Sequence, residues 1–335
     1  MQFKKIDELK PGMRLARPIY NKNGVLLFER DSKITEPGIA SIQNFGLIGL
    51  FILEPAEPCP PMSQEDIEFE RFQTVNVFSL MDEIDRIKTQ GKTAKLQIIV
   101  SNIIKSYGHL ENKINFNQSL RSAEDARFKH ALNVAILSAM MCNKLNIKIE
   151  DRLNVVSAAL VRGNLPMDII EKLFSADPNV KRYVYQAESI EEAAETGQLQ
   201  SNIKLMDGGK ILAVADVFDN MTAMNADQPP ESEVAAIKYL LDKPGIFDKN
   251  VVMSLVDSIN VLIPGVCVEL NTGAKALVLS ENKMDFFRPM VLSFGGNEII
   301  DLSNRSMFGD LEIVDIMKTM DNRHVIDTEM LKNFG

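Results

Sequence analysis

Apolar positions follow three different rhythms along this chain. Near the N-terminus they come in short runs. IYNKNGVLLF holds Asn23-Gly24 between two apolar arms, a strong hairpin signal, and LIGLFILE is apolar and β-branched enough for a strand. Between them TEPGIASIQNFG supplies Thr35 as a cap, Pro37 in a first turn and Gly46 as a stop, which predicts a short helix. Residues 1–55 therefore read as a small β-rich module. Four prolines from Pro55 to Pro61 continue no regular element, so residues 56–64 read as a stiff linker.

Over residues 65–262 the apolar period becomes helical. Ser63 with Asp66 forms an S-x-x-D start signal, and HALNVAILSAMMCNKL places His130, Val134, Leu137 and Met141 on one helix face. DRLNVVSAALV and KILAVADVFDNMTAM are equally apolar, and predict central helices of one bundle. Pro229 and Pro230 open a further helix, ESEVAAIKYLLD, which stops before Pro244-Gly245. Beyond Pro264-Gly265 the period shortens again. Hairpins are predicted over residues 263–302, one around Asn271-Thr272-Gly273 and one around Gly295-Gly296. Residues 303–335 read as a tail with a short helix. The expected fold class is α+β, a mainly helical domain flanked by a β-rich module and C-terminal hairpins.

Composition narrows the function classes. At 335 residues, 45% hydrophobic and 25% charged, the chain has the profile of a soluble globular protein with room for two or three domains. A net charge of −9 without a long basic run argues against nucleic-acid binding, which rests on Lys and Arg neutralising phosphates. No window approaches the ~20 apolar residues of a membrane span, and MQFKKIDELKPGMRL lacks the apolar centre of a signal peptide, so a cytoplasmic location without membrane association is expected. Cys59, Cys142 and Cys267 are odd in number and far apart, which suggests three reduced thiols rather than disulfides or a metal site.

Several segments in register carry a resemblance. KIDELKPGMRLARPIYNKNGVLL, FKHALNVAILS, SAALVRGNLPMDII, KILAVADVFDNMTA, VELNTGAKALVL and RPMVLSFGGNEIIDLS follow one another in an order that resembles the HD-GYP family. This is a branch of the HD phosphohydrolases whose active members hydrolyse cyclic di-GMP. The resemblance implies an HD-type helical bundle, a bacterial origin and a signalling context. It aligns His130 with the family's first histidine and Asp216 with its last aspartate. At the defining His-Asp pair it places Arg162 and Gly163, with the following Gly-Lys deleted. The interval SADPNVKRYVYQAESIEEAAETGQLQSNIKLMDGG contains neither the family's further histidines nor its Gly-Tyr-Pro loop. The chain has three histidines, of which His109 and His324 fall outside the matching segments. No Lys or Arg stands between Val217 and Ile237, where active members carry basic residues.

The resembling chemistry needs two or three metal ions held by several His and carboxylate ligands. With those ligands depleted, no catalytic residue is expected. No cofactor is expected either; a divalent Fe, Mn or Zn ion is the alternative. His130 reads first as a hydrogen-bonded core residue and second as a surviving ligand. Asp216 sits in an apolar helix, where a buried carboxylate needs a partner. The resemblance puts Arg162 and Asp216 at one former metal centre, so an Arg-carboxylate fork is expected there, with Asp125 as a third, more peripheral member. ESIEEAAET at 188–196 reads as a solvated helix face or a replacement for the lost loop, with docking of a basic partner as the alternative. The expected function is a catalytically inactive binding or regulatory module with protein partners, with a homodimer through the helical domain as one arrangement. The alternatives are an active cyclic di-GMP phosphodiesterase with an atypical site and a receptor that binds cyclic di-GMP without cutting it.

Overall fold

A computed structural model describes residues 2–44, 49–53, 63–118, 124–199, 204–223 and 230–316. The fold is α+β and mainly helical, in two compact units that divide after Asn260. The linker prolines, Cys59, Gly46, His324 and the tail beyond Ile316 lie outside the described residues.

The first unit opens with β1 (Gln2–Lys5), β2 (Arg14–Leu15), β3 (Ile19–Tyr20), β4 (Leu26–Phe28), α1 (Glu36–Asn44) and β5 (Gly49–Leu53). Strands β1 and β2 flank β5 antiparallel, with Lys4 opposite Leu50 and Leu15 opposite Ile52. Strands β3 and β4 form the hairpin that Asn23-Gly24 signals. Thr35 caps α1 by accepting the Gly38 N–H at 3.2 Å. Leu9, Leu15, Ile34, Ile42, Leu50 and Ile52 bury one another in a small core of their own.

The helices follow: α2 (Gln64–Gln90), α3 (Leu96–Tyr107), α4 (Ala126–Lys144), α5 (Ile149–Val161), α6 (Met167–Leu173), α7 (Asn179–Thr196), α8 (Asp207–Thr222), α9 (Glu233–Leu241) and α10 (Lys249–Val256). Ser63 and Asp66 form a reciprocal capping box at the start of α2. Helix α4 is central. Every residue from Ala131 to Cys142 is buried, because α2, α3, α5, α8 and α10 pack around it, so the single-face reading from His130 to Met141 was too narrow. Helices α7 and α8 approach closely because α8 has two glycines, Gly208 and Gly209, in its first turn. A Cβ on Gly208 would lie 2.6 Å from the Tyr183 ring, and one on Gly209 2.7 Å from Gln186.

The second unit contains β6 (Cys267–Leu270), β7 (Lys275–Ser280), β8 (Met290–Ser293), β9 (Glu298–Asp301), α11 (Arg305–Phe308) and β10 (Ile313–Ile316). The hairpins are parts of one antiparallel sheet, ordered β10-β6-β7-β8-β9. The expected boundary at residue 302 therefore needs correction: the chain beyond it contributes α11 and an edge strand. Asn271 holds that return, its side chain donating to the Asp310 carbonyl at 2.7 Å and its backbone N–H to Glu312 at 2.9 Å. Among the described residues no helix is long and apolar enough to cross a membrane.

Candidate functional site

Helix α5 stops just before the first site residue. The Arg162 N–H still reaches the Ala158 carbonyl, but Arg162 itself is extended (φ −61°, ψ 135°) and Gly163 is left-handed (φ 68°). Glycine suits that turn because a side chain is strained at positive φ. Gly163 therefore shapes the chain, while Arg162 supplies the chemistry. Its Nη1 donates to Asp216 Oδ1 at 2.5 Å and its Nη2 donates to Glu191 Oε2. One guanidinium thus ties α8 to α7.

Asp216 and Asp219 stand one turn apart on α8, and His130 and Asn133 one turn apart on α4, so each pair shares a face. The two faces meet. His130 Nε2 lies 3.0 Å from Asp216 Oδ1, and Nδ1 lies 2.6 Å from Asp219 Oδ2. Asn220 donates to the other oxygen of Asp216 at 2.7 Å. Asp219 Oδ1 accepts from both Asn133 and Gln118, each at 2.9 Å. Asn133 in turn accepts from Gln73 of α2 at 2.8 Å. The result is a buried polar network joining α2, α4, α7, α8 and the end of α5.

Its charges nearly balance. Burial opposes charge on His130, but hydrogen bonds and attraction from Asp216 and Asp219 outweigh it and raise its pKa to about 9. At neutral pH the imidazole is then a cation, donating from both nitrogens. Burial opposes charge on Arg162 as well, and the neighbouring Asp216 and Glu191 more than restore it. Burial, reinforced by Asp216, pushes the Glu191 carboxyl up to about 7 against the pull of Arg162. Its Oε1 has no hydrogen-bond partner among the described residues.

This donor set does not fit a catalytic metal. A ligand must offer a free lone pair, yet both His130 nitrogens face carboxylates and both Asp216 oxygens accept from nitrogen donors. The guanidinium also stands against the Asp216 carboxylate, a cation where a metal ion would have to sit to use it. Among the described residues, no group of three or more His, Cys, Asp and Glu is arranged to hold a metal ion.

The structure thus joins His130, Arg162 and Asp216, and places Gly163 in the turn beside them. Asp125 pairs with Lys129 of the next helical turn at 2.7 Å. His109 is exposed. Sequence reasoning missed Asp219, Asn133, Gln118 and Glu191. For Asp219 and Asn133 the signal was present, since each stands three residues beyond a singled-out residue. Glu191 falls in the acidic run read as solvated or as a loop replacement. That run is helical, and Glu191 shares a face with buried Ala187 and Ala194, four residues before and three after it.

Among solved structures the chain is similar to "Bd1817, a HDG"Y"P protein from Bdellovibrio bacteriovorus", with 12% identity over 76% of this chain and 98% of that one, and a TM-score of 0.32. No protein-family model and no curated protein matches the chain.

Proposed function

We propose that this protein is a catalytically inactive, HD-GYP-like module that acts by binding, in cyclic di-GMP-related bacterial signalling. The observation that carries the proposal is the Arg162–Asp216 pair, a permanent cation on the carboxylate that aligns with the family's last metal ligand. Metal-assisted phosphodiester hydrolysis draws its hydroxide and its charge stabilisation from bound ions. Here the corresponding side chains are consumed by one another. The absence of Lys and Arg from Val217 to Ile237 supports the same reading, since a doubly phosphorylated substrate is ordinarily met by cations. What remains is a rigid helical scaffold that works through protein contacts, including those of a homodimer.

A hydrolysis assay with cyclic di-GMP and added Mn2+ or Fe2+ tests the proposal. The wild type gives no turnover, and neither does R162H combined with G163D, because the downstream histidines are still missing. Turnover in the wild type that vanishes in D216A would establish the rival, an active phosphodiesterase with an atypical site.

A further inference from the structure

A second feature of the first unit lies outside the network. Strands β2, β3 and β5 and helix α2 enclose a cleft of about 530 Å3, within the ~300–1,000 Å3 typical of small-molecule sites. Its walls are mainly apolar, with Leu50, Phe51, Val77 and Phe78 among them. Three of its charged groups are already engaged. The Arg17 guanidinium lies 4.6 Å from the centre of the Phe51 ring and donates to the Gln118 carbonyl at 2.7 Å. Asp125 and Lys129, also in the wall, form their ion pair. Lys22 is exposed at the cleft.

Glu70 differs from all of these. It lines the cleft from α2, yet among the described residues its carboxylate makes no hydrogen bond and no ion pair. Burial pushes its pKa to about 7, against attraction from Arg17 and Arg30 and with repulsion from Asp66. A carboxylate in a partly apolar cavity without a donor carries a desolvation cost that an entering donor would relieve. Arg17 is desolvated too, but its guanidinium is already engaged by the Gln118 carbonyl and the Phe51 ring, whereas the Glu70 carboxylate has no such partner among the described residues.

We propose that this cleft binds a small amphipathic amine, its ammonium received by the Glu70 carboxylate and its apolar body lying against Phe51, Val77 and Phe78. The proposal goes beyond the inactive-module reading and stands independently of it. Gln73 lines the same cleft and donates to Asn133, so an occupant sits one side chain away from the buried network.

Titration calorimetry of the full chain with tryptamine tests this, with indole-3-acetate as an anion of the same body. About pH 8 keeps the amine protonated and Glu70 ionised. Expected is saturable 1:1 binding of tryptamine with a Kd of about 1 mM or tighter, and about tenfold weaker binding of indole-3-acetate. E70Q weakens tryptamine about tenfold while its thermal midpoint stays near that of the wild type. F78A, at a partly exposed position, lowers affinity for both compounds together. No saturable binding of tryptamine, equal binding of the two compounds, or an E70Q affinity equal to wild type would each overturn the proposal.

Discussion

Arg162 has a different chemical status from the histidine that the resemblance places at its position. A guanidinium neither deprotonates at physiological pH nor ligates a divalent ion, and its planar fork fits two carboxylates at once. Asp216 is buried and Glu191 half-buried around it, so R162M leaves Glu191 without its donor and Asp216 with only His130 and Asn220. That truncation is expected to cost about 3–5 kcal/mol, read from urea unfolding. Adding E191M removes the orphaned acid, so R162M/E191M is more stable than R162M alone; equal or lower stability would contradict the role given to Glu191. The same network sets a pH dependence. His130 has a folded-state pKa of about 9 against 6.5 for the free side chain. Its contribution is therefore complete below pH 6.5 and lost as pH rises through 9. Glu191, raised from 4.5 to about 7, binds its proton more tightly in the folded state, so its part of the stability declines between those values. Thermal midpoints should fall across this whole range, with H130Q flattening the upper half and E191Q the lower; a midpoint that rises toward pH 9 would count against the assignment. At this scale the sequence showed His130, Arg162 and Asp216 through their alignment to a known pattern. It did not show Glu191, because an acidic residue among acidic residues looks solvated until the partner helix is known.

Among the elements, the junction of α2 and α3 shows how one side chain organises a turn. Helix α3 has Lys95 at its N-cap and no side-chain cap of its own. Buried Glu83 of α2 performs that task across the turn. Its Oε1 accepts from Thr93 Oγ1 at 2.7 Å and from the backbone N–H groups of Ala94, Lys95 and Leu96 at 2.6, 2.8 and 3.1 Å. Burial would raise its pKa, but these donors hold it below the usual glutamate value. Its stabilisation is therefore present above pH 4.5 and declines as pH falls through the folded-state value. E83A leaves the helix start uncapped and is expected to cost about 2–3 kcal/mol, whereas E83Q retains an acceptor oxygen and costs less. Equal losses in the two variants, measured by denaturant unfolding, would assign the effect to packing. Long apolar helices such as α4, α5 and α8 were legible because burial writes itself into their composition. The hairpins were legible from their turn residues. The merger of β6 to β10 into one sheet was not, since β10 has four residues and its pairing with β6 is specified by a partner about 45 positions away.

For the molecule as a whole, the polar network acts as a structural brace inside a helical core. The network spans α2, α4, α7, α8 and the end of α5, so it ties five helices together through hydrogen bonds and ion pairs. Under the proposed function these groups serve the scaffold instead of metal-assisted chemistry, and the protein acts by binding. Elemental mass spectrometry of the purified full-length protein tests that claim most directly, because metal loading is independent of any choice of substrate. A brace built on Arg162 and Asp216 predicts no stoichiometric Fe, Mn or Zn per chain, in the wild type and in D216A alike. A stoichiometric ion in the wild type that is lost in D216A would contradict it.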